Sequence, residues 1–328
     1  MSYRLVMCRF NRLLWGLCCW TALWLSACGR AGESSAAGVG NDTLAARSDS
    51  LSEARLTAED TLWRVAVLPT LDCLPLYYAE EAAWWRQGGV AVELREFAAQ
   101  GDADTALLRG RVSAAVTDLV RVAYYNKEKN ILSAQVSTDG GWMLLAAPGL
   151  RLRKLEQLKN RMVAVARHSA SDFVSGRTAG KAGCGYADFF RPQINSLPLR
   201  TSMLLRGQVD AAVLPEPLAS KAQSSGAVPL FVLPGEECRL GVIACRTATL
   251  NHGPSARREE AFRRVYDRAV DSLNRRGVEA CRQILQRRYG LSAEEVRRLK
   301  LPRYRHAAKP SEADVQRAAD FLRLHERP

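Results

Sequence analysis

Leu107-Leu108-Arg109-Gly110-Arg111-Val112-Ser113-Ala114-Ala115-Val116 returns 97 residues later as Leu204-Leu205-Arg206-Gly207-Gln208-Val209-Asp210-Ala211-Ala212-Val213, identical at eight of ten positions. Each copy reads as the end of a helix, a glycine turn and a short buried strand. Val65-Ala66-Val67 and Val163-Ala164-Val165 form a second pair at nearly the same offset, each opening a new unit. A single repeat of this length does not build a solenoid; it suits two similar α/β lobes.

Outward from the repeat, strand and helix patterns alternate. Strands are expected at Arg64–Pro69, Val90–Phe97, Ala114–Thr117 and Leu132–Ser137, then at Met162–Ala166, Gln193–Leu197, Ala211–Leu214 and Pro229–Leu233. Helices are expected to start near Pro75, Asp102 and Asp118, and again near Ser171, Arg200 and Pro217. This alternation predicts mostly parallel sheets covered on both faces. Trp142–Ala147 and Leu240–Cys245 read as two crossings that make a two-stranded hinge. The lobes are then about 60–147 with 241–328, and 148–240. Past Ser255 the chain reads as helices at Arg258–Asp271, Val278–Tyr289, Ala293–Leu299 and Ser311–His325.

Open α/β sheets hold ligands beyond the carboxyl ends of their strands, where helix N-termini also point. The candidate ligand-binding residues at those ends are Asp72, Cys73, Leu74, Gln100, Thr117, Asp118, Thr138, His168, Ser169, Ser171 and Glu216, with Trp142 on a crossing. Ser169 and Ser171 read equally as N-caps and as hydroxyls offered to a ligand. Asp118 reads as a cap or as an acceptor, Trp142 as a stacking surface or as hinge packing, and His168 mainly as a loop histidine. Glu216 sits between Pro215 and Pro217 and is expected to face the cleft. Its removal should then weaken a ligand and leave ligand-free melting nearly unchanged.

Three stretches carry a family resemblance: Leu68-Pro69-Thr70-Leu71-Asp72-Cys73-Leu74-Pro75-Leu76-Tyr77-Tyr78-Ala79, the Gly110 to Thr117-Asp118 turn, and Leu204–Pro217. With them, roughly residues 60 to 250 resemble the solute-binding proteins of ABC transporters, in the superfamily that takes nitrate, sulfonates, taurine and thiamine-pyrimidine precursors. The resemblance implies a two-lobed type II periplasmic-binding fold that closes on a small molecule and docks on an ABC permease. It leaves the ligand open among a sulfonate, a nitrate-like anion and a pyrimidine or thiamine precursor. Enzymes acting on pyrimidines or related metabolites share this fold. The clustered Cys-Cys-Cys motif of the fungal pyrimidine synthases is missing here, as are Walker, GxGxxG and HExxH signatures.

The N-terminus bears on compartment. Arg4, Arg9 and Arg12 precede an apolar run from Leu13 to Leu25 that ends in Leu25-Ser26-Ala27-Cys28-Gly29. A run this short, against the ~20 residues that span a bilayer, reads as a secretory signal over 1–27. Its end resembles a bacterial lipobox, with Cys28 as the lipid anchor and 28–59 as a flexible tether on the outside of the membrane. Five cysteines remain beyond it: Cys73, Cys184, Cys238, Cys245 and Cys281. None is in CxxC spacing or near a histidine at ligand spacing, so neither a zinc site nor a cofactor is expected.

The 328 residues are 47% hydrophobic and 25% charged, a globular composition that rules out collagen, coiled coil and multi-span membrane protein. The formal charge of +13 is concentrated at Ser255–Arg305, which holds 15 Arg or Lys against 7 Asp or Glu. Paired arginines interleaved with apolar residues mark solvated helix faces. Contact with lipid headgroups or a permease suits an exported chain better than nucleic acid.

Overall fold

The first sheet is built from β1 (Leu62–Val67), β2 (Ala91–Glu96), β3 (Ala114–Asp118), β4 (Leu132–Ser137) and β9 (Gly241–Arg246), in the order β2-β1-β3-β9-β4. The second contains β5 (Trp142–Ala146), β6 (Val163–Ala164), β7 (Ala211–Pro215) and β8 (Val228–Val232), in the order β6-β7-β5-β8. The structure is a computed structural model and describes residues 62–250 and 255–325. The signal run, Cys28 and the 28–59 stretch lie outside the described residues.

The two copies of the repeat occupy equivalent places in different sheets. Helix α3 (Gln100–Leu108) feeds β3, and α6 (Leu197–Leu205) feeds β7. Gly110 and Gly207 adopt left-handed φ of 69° and 67°. Gly110 N–H donates to Leu107 O and Arg111 N–H to Ala106 O; Gly207 and Gln208 bond to Leu204 and Met203 in the same pattern. Each is a Schellman motif, which needs a residue free of a Cβ penalty where the helix ends.

As expected of mostly parallel sheets, all strands but one in each sheet run the same way, the exceptions being β9 and β5. β1 runs parallel to β2 and β3, and β6 parallel to β7, whereas β9 is antiparallel to β3 and β4, and β5 is antiparallel to β7 and β8. The segments expected as hinge crossings are the inner strands responsible. Each arrives from the other sheet at the carboxyl ends of its new neighbours, so it must run back against them. Trp142 accordingly pairs with Pro215, and Gly241 with Asp118. The passages between sheets fall in the short links before β5 and β9.

The strand expected at Gln193–Leu197 does not form. Parallel bridges join Met162 to Phe190 and Val165 to Gln193, and Leu197 already opens α6, with Pro198 in its first turn. Ser196 caps that helix through its hydroxyl, so the chain turns helical where a strand would have continued.

Alternation along the strands divides the core. Val65, Val67, Val116, Ile243 and Cys245 face α1 (Leu74–Glu81) and the C-terminal helices α9 (Ser255–Arg276), α10 (Val278–Arg287) and α11 (Ala293–Arg298). Ala66, Leu68, Ala115 and Val242 face the other way, into a core shared with Leu144, Val163, Val213 and Phe173 of the second sheet and its helix α5 (Ala170–Lys181). Helix α9 buries Phe262, Val265, Tyr266, Ala269, Val270 and Leu273, a helical stripe. Two of its arginines pair within the helix, Arg263 with Glu259 at 2.8 Å and Arg264 with Glu260 at 2.7 Å. The last helix, α12 (Glu312–His325), lies against α4 (Leu119–Tyr125) and sets Phe321 edge-on to Phe173 of α5 at 5.3 Å. No helix among the described residues is long and apolar enough to cross a membrane.

Candidate functional site

The carboxyl ends of β3 and β7 point at one another and enclose a cavity. Thr117 and Asp118 line it from one sheet, Pro215 and Glu216 from the other, with Asp72, Gln100, Trp142, Ser169 and Ser171 completing a wall expected from sequence. Two backbone seams close it. Leu71 N–H donates to Glu216 O at 2.9 Å, and Ala99 and Ser196 form an isolated antiparallel bridge.

Beneath one wall lies a polar network. Asp104 Oδ1 accepts from Gln100 Nε2 at 3.0 Å and Thr117 Oγ1 at 2.9 Å, while its Oδ2 accepts from Arg121 Nη1 at 2.9 Å. Asp118 caps α4 by accepting from Arg121 N–H at 3.0 Å, and its Oδ2 lies 3.6 Å from Arg121 Nε. Burial pushes the Asp118 carboxyl up to about 6; Arg121 and the backbone of Ala170 oppose this only in part. In the other wall Arg200, 1% exposed, donates through Nε to Ile194 O and through Nη1 to Val213 O, both at 2.9 Å. Burial lowers that guanidinium to about 9.

Asp72 and Glu216 differ in how far they are satisfied. Glu216 Oε2 accepts from Ser220 N–H and Oε1 from Ser220 Oγ, both at 3.0 Å, which ties the carboxylate to the first turn of α7 (Leu218–Ser224). Asp72 Oδ1 is sealed from solvent without a hydrogen-bond partner. Burial raises both carboxyls above their ordinary value. Glycines let the wall approach: a Cβ on Gly140 would stand 3.1 Å from Asp72 Cβ, and one on Gly141 would stand 3.2 Å from Glu216 Cγ.

Eight of the twelve expected residues therefore line the cavity: Asp72, Gln100, Thr117, Asp118, Trp142, Ser169, Ser171 and Glu216. Cys73 and Leu74 do not, because the turn after β1 directs both into the core beneath α9–α11. Thr138 faces the backbone of Gly241 behind the wall. His168 takes a left-handed φ of 54° and stacks on Tyr124, ring centroids 4.3 Å apart, outside the cavity. The serines bond locally: Ser169 caps α5 and donates to Ala166 O, and Ser171 Oγ accepts from Ala166 N–H at 2.9 Å. Arg121 and Arg200 were not expected. A lone arginine in the apolar runs Leu119–Ala123 and Leu197–Leu205 is the signal that marks each. All five described cysteines are free, and among the described residues no group of three or more His, Cys, Asp or Glu is placed to hold a metal ion.

Residues 70–227 match the family model described as NMT1/THI5 like. No curated protein sequence matches the chain. Solved structures share the fold. The ligand-binding component of an ABC-type import system from Staphylococcus aureus, solved with zinc bound, is 14% identical, with a TM-score of 0.68 over 81% of this chain and 92% of that one. The alkanesulfonate-binding protein SsuA from Xanthomonas axonopodis pv. citri bound to MOPS is 19% identical, with a TM-score of 0.68 over 80% and 93%. The periplasmic nitrate-binding protein NrtA from Synechocystis PCC 6803 is 13% identical, with a TM-score of 0.63 over 77% and 74%. The two-sheet architecture is thus that of the periplasmic binding proteins.

Proposed function

We propose that this chain is an exported solute-binding protein, tethered through Cys28, that captures a small molecule between two lobes and hands it to an ABC permease. The lobes are built on the two sheets and divide near residues 140 and 240. The observation that carries this reading is the cavity walled by the carboxyl ends of β3 and β7. A solute there touches both lobes, so it favours the closed arrangement through contacts that exist only when the lobes meet. The solved proteins named above, from import systems and from sulfonate and nitrate binding, support the same role.

An enzyme on this fold would need a nucleophile facing a base. Ser169 and Ser171 instead spend their hydroxyls on Ala166 and each other, and His168 stacks on Tyr124. The cavity is lined by carboxylates, guanidinium groups and the Trp142 ring, the chemistry of recognition.

A thermal-shift screen of the purified mature protein against sulfonates, nitrate, pyrimidines and amines tests the reading. At least one of them should raise the melting temperature dose-dependently, and Glu216→Gln should reduce that rise. A screen in which no solute of any class shifts melting would overturn it.

A further inference from the structure

We infer that the cleft takes a solute presenting a cationic nitrogen edge rather than an anion, the guanidinium, amidinium and ammonium class. The inference rests on the solute-binding reading and narrows it. Four carboxylates stand in or directly behind the wall (Asp72, Asp104, Asp118 and Glu216) against two guanidinium groups. Arg121, 6% exposed, is already engaged, on Asp104 at 2.9 Å and beside Asp118 at 3.6 Å. Arg200 directs Nε and Nη1 to backbone carbonyls. Two polar atoms of the lining residues are buried without a hydrogen-bond partner: Arg121 Nε, whose charge is offset by Asp118 Oδ2 at 3.6 Å, and Asp72 Oδ1, an acceptor with no cation beside it.

A buried carboxylate oxygen in this condition is costly, and a ligand N–H relieves the cost while an anion adds like-charge repulsion. No ion pair to Asp72 exists among the described residues. Gly140 and Gly241 bring backbone close against it on two sides, where a side chain would crowd the carboxylate: a Cβ at Gly241 would come within 3.5 Å of Asp72 Oδ2. Trp142 lines the same cavity and offers a flat face to a planar cation. Asp72 and Glu216 also enter from opposite sheets, so a solute with donors at two edges joins the lobes through both. The sulfonate- and nitrate-binding proteins of the same fold bind anions, and this wall has the opposite polarity.

The test is titration calorimetry at pH 7 on the purified mature protein, with matched probes of opposite charge. Benzamidine and methylguanidine stand against benzenesulfonate, methanesulfonate and nitrate. At least one of the two cations should bind, none of the anions should, and Asp72→Asn should weaken the cation about ten- to a hundredfold. Ligand-free Asp72→Asn should melt no lower than the parent, since the change removes a charge that burial disfavours and keeps the shape. Binding of an anion in preference to both cations, or cation affinity unchanged in Asp72→Asn, overturns the ligand class and leaves solute capture standing. Failure of every probe, in a protein that no solute of the wider screen stabilises, overturns both; failure of both cations where another solute binds overturns the class alone.

Discussion

Leu71 N–H, on the turn after β1, donates across the cleft to Glu216 O at the end of β7, 2.9 Å away. This places a main-chain hydrogen bond directly beside the cavity, between segments of different sheets. A second link, Leu197 N–H to Ala98 O at 3.4 Å, lies on the other seam. Both break if the sheets part, whereas hydrogen bonds within either sheet do not.

Amide exchange should therefore separate opening from unfolding. The Leu71 and Leu197 amides are expected to exchange faster than those of Val116 and Ile243, which lie inside the first sheet. A bound solute should slow the first pair selectively. Equal protection of all four, with and without solute, would mean that the seams open only on global unfolding.

Glu216 carries two roles, which two variants separate. Glu216→Ala should cost about 1 kcal/mol of ligand-free stability, because it removes the acceptor for Ser220 N–H. The expectation of nearly unchanged melting takes no account of this hydrogen bond. Glu216→Gln keeps an acceptor for that group and should melt within a few tenths of a kcal/mol of the parent. Both should weaken a bound cation about ten- to a hundredfold. Chemical denaturation with calorimetry on the same samples reads both effects.

Asp118 predicts a pH dependence of definite sign. Its folded carboxyl is raised to about 6 from 3.8, so the folded state holds the proton more tightly than the unfolded one. The group's contribution to stability is thus most favourable below pH 4 and falls as pH rises from about 4 to 6, by up to about 3 kcal/mol. Asp118→Asn should flatten that segment of the melting-temperature profile. A parallel profile in the variant would assign the slope to other carboxyls.

Gly241 and Thr138 should behave as a coupled pair. A Cβ at Gly241 would lie 2.4 Å from Thr138 Oγ1, a buried hydroxyl without a partner. Gly241→Ala is expected to cost about 1–3 kcal/mol, and Thr138→Ala should be close to neutral alone and recover most of that loss. Additive effects in the double-mutant cycle would show that the strand shifts instead.

Cys28→Ala tests the anchor independently of the cleft. The variant should appear in the soluble exported fraction and lose acyl labelling, while the parent stays with membranes. A labelled, membrane-bound variant would exclude the lipobox.

Local sequence decides what depends on neighbours a few residues apart. The repeat marks two Schellman turns because glycine alone takes the left-handed position without penalty, and the Ser, Asp and Pro signals place the helix starts at Asp118, Ser169 and Leu74. Cavity residues at strand ends are legible for the same reason: strand, turn and cap together locate the tip. Tertiary structure alone decides direction and company. Trp142–Ala146 and Gly241–Arg246 read as strands from composition, but running antiparallel follows from which end of a sheet the chain enters. Cys73 and Leu74 are neighbours of Asp72, yet a single turn sends one side chain to the cavity and two to the core. The polarity of the cleft is a balance among charges 3 to 144 positions apart, and the sequence pattern does not reveal that Arg121 is held by Asp104 and Asp118 while Asp72 Oδ1 is buried without a partner.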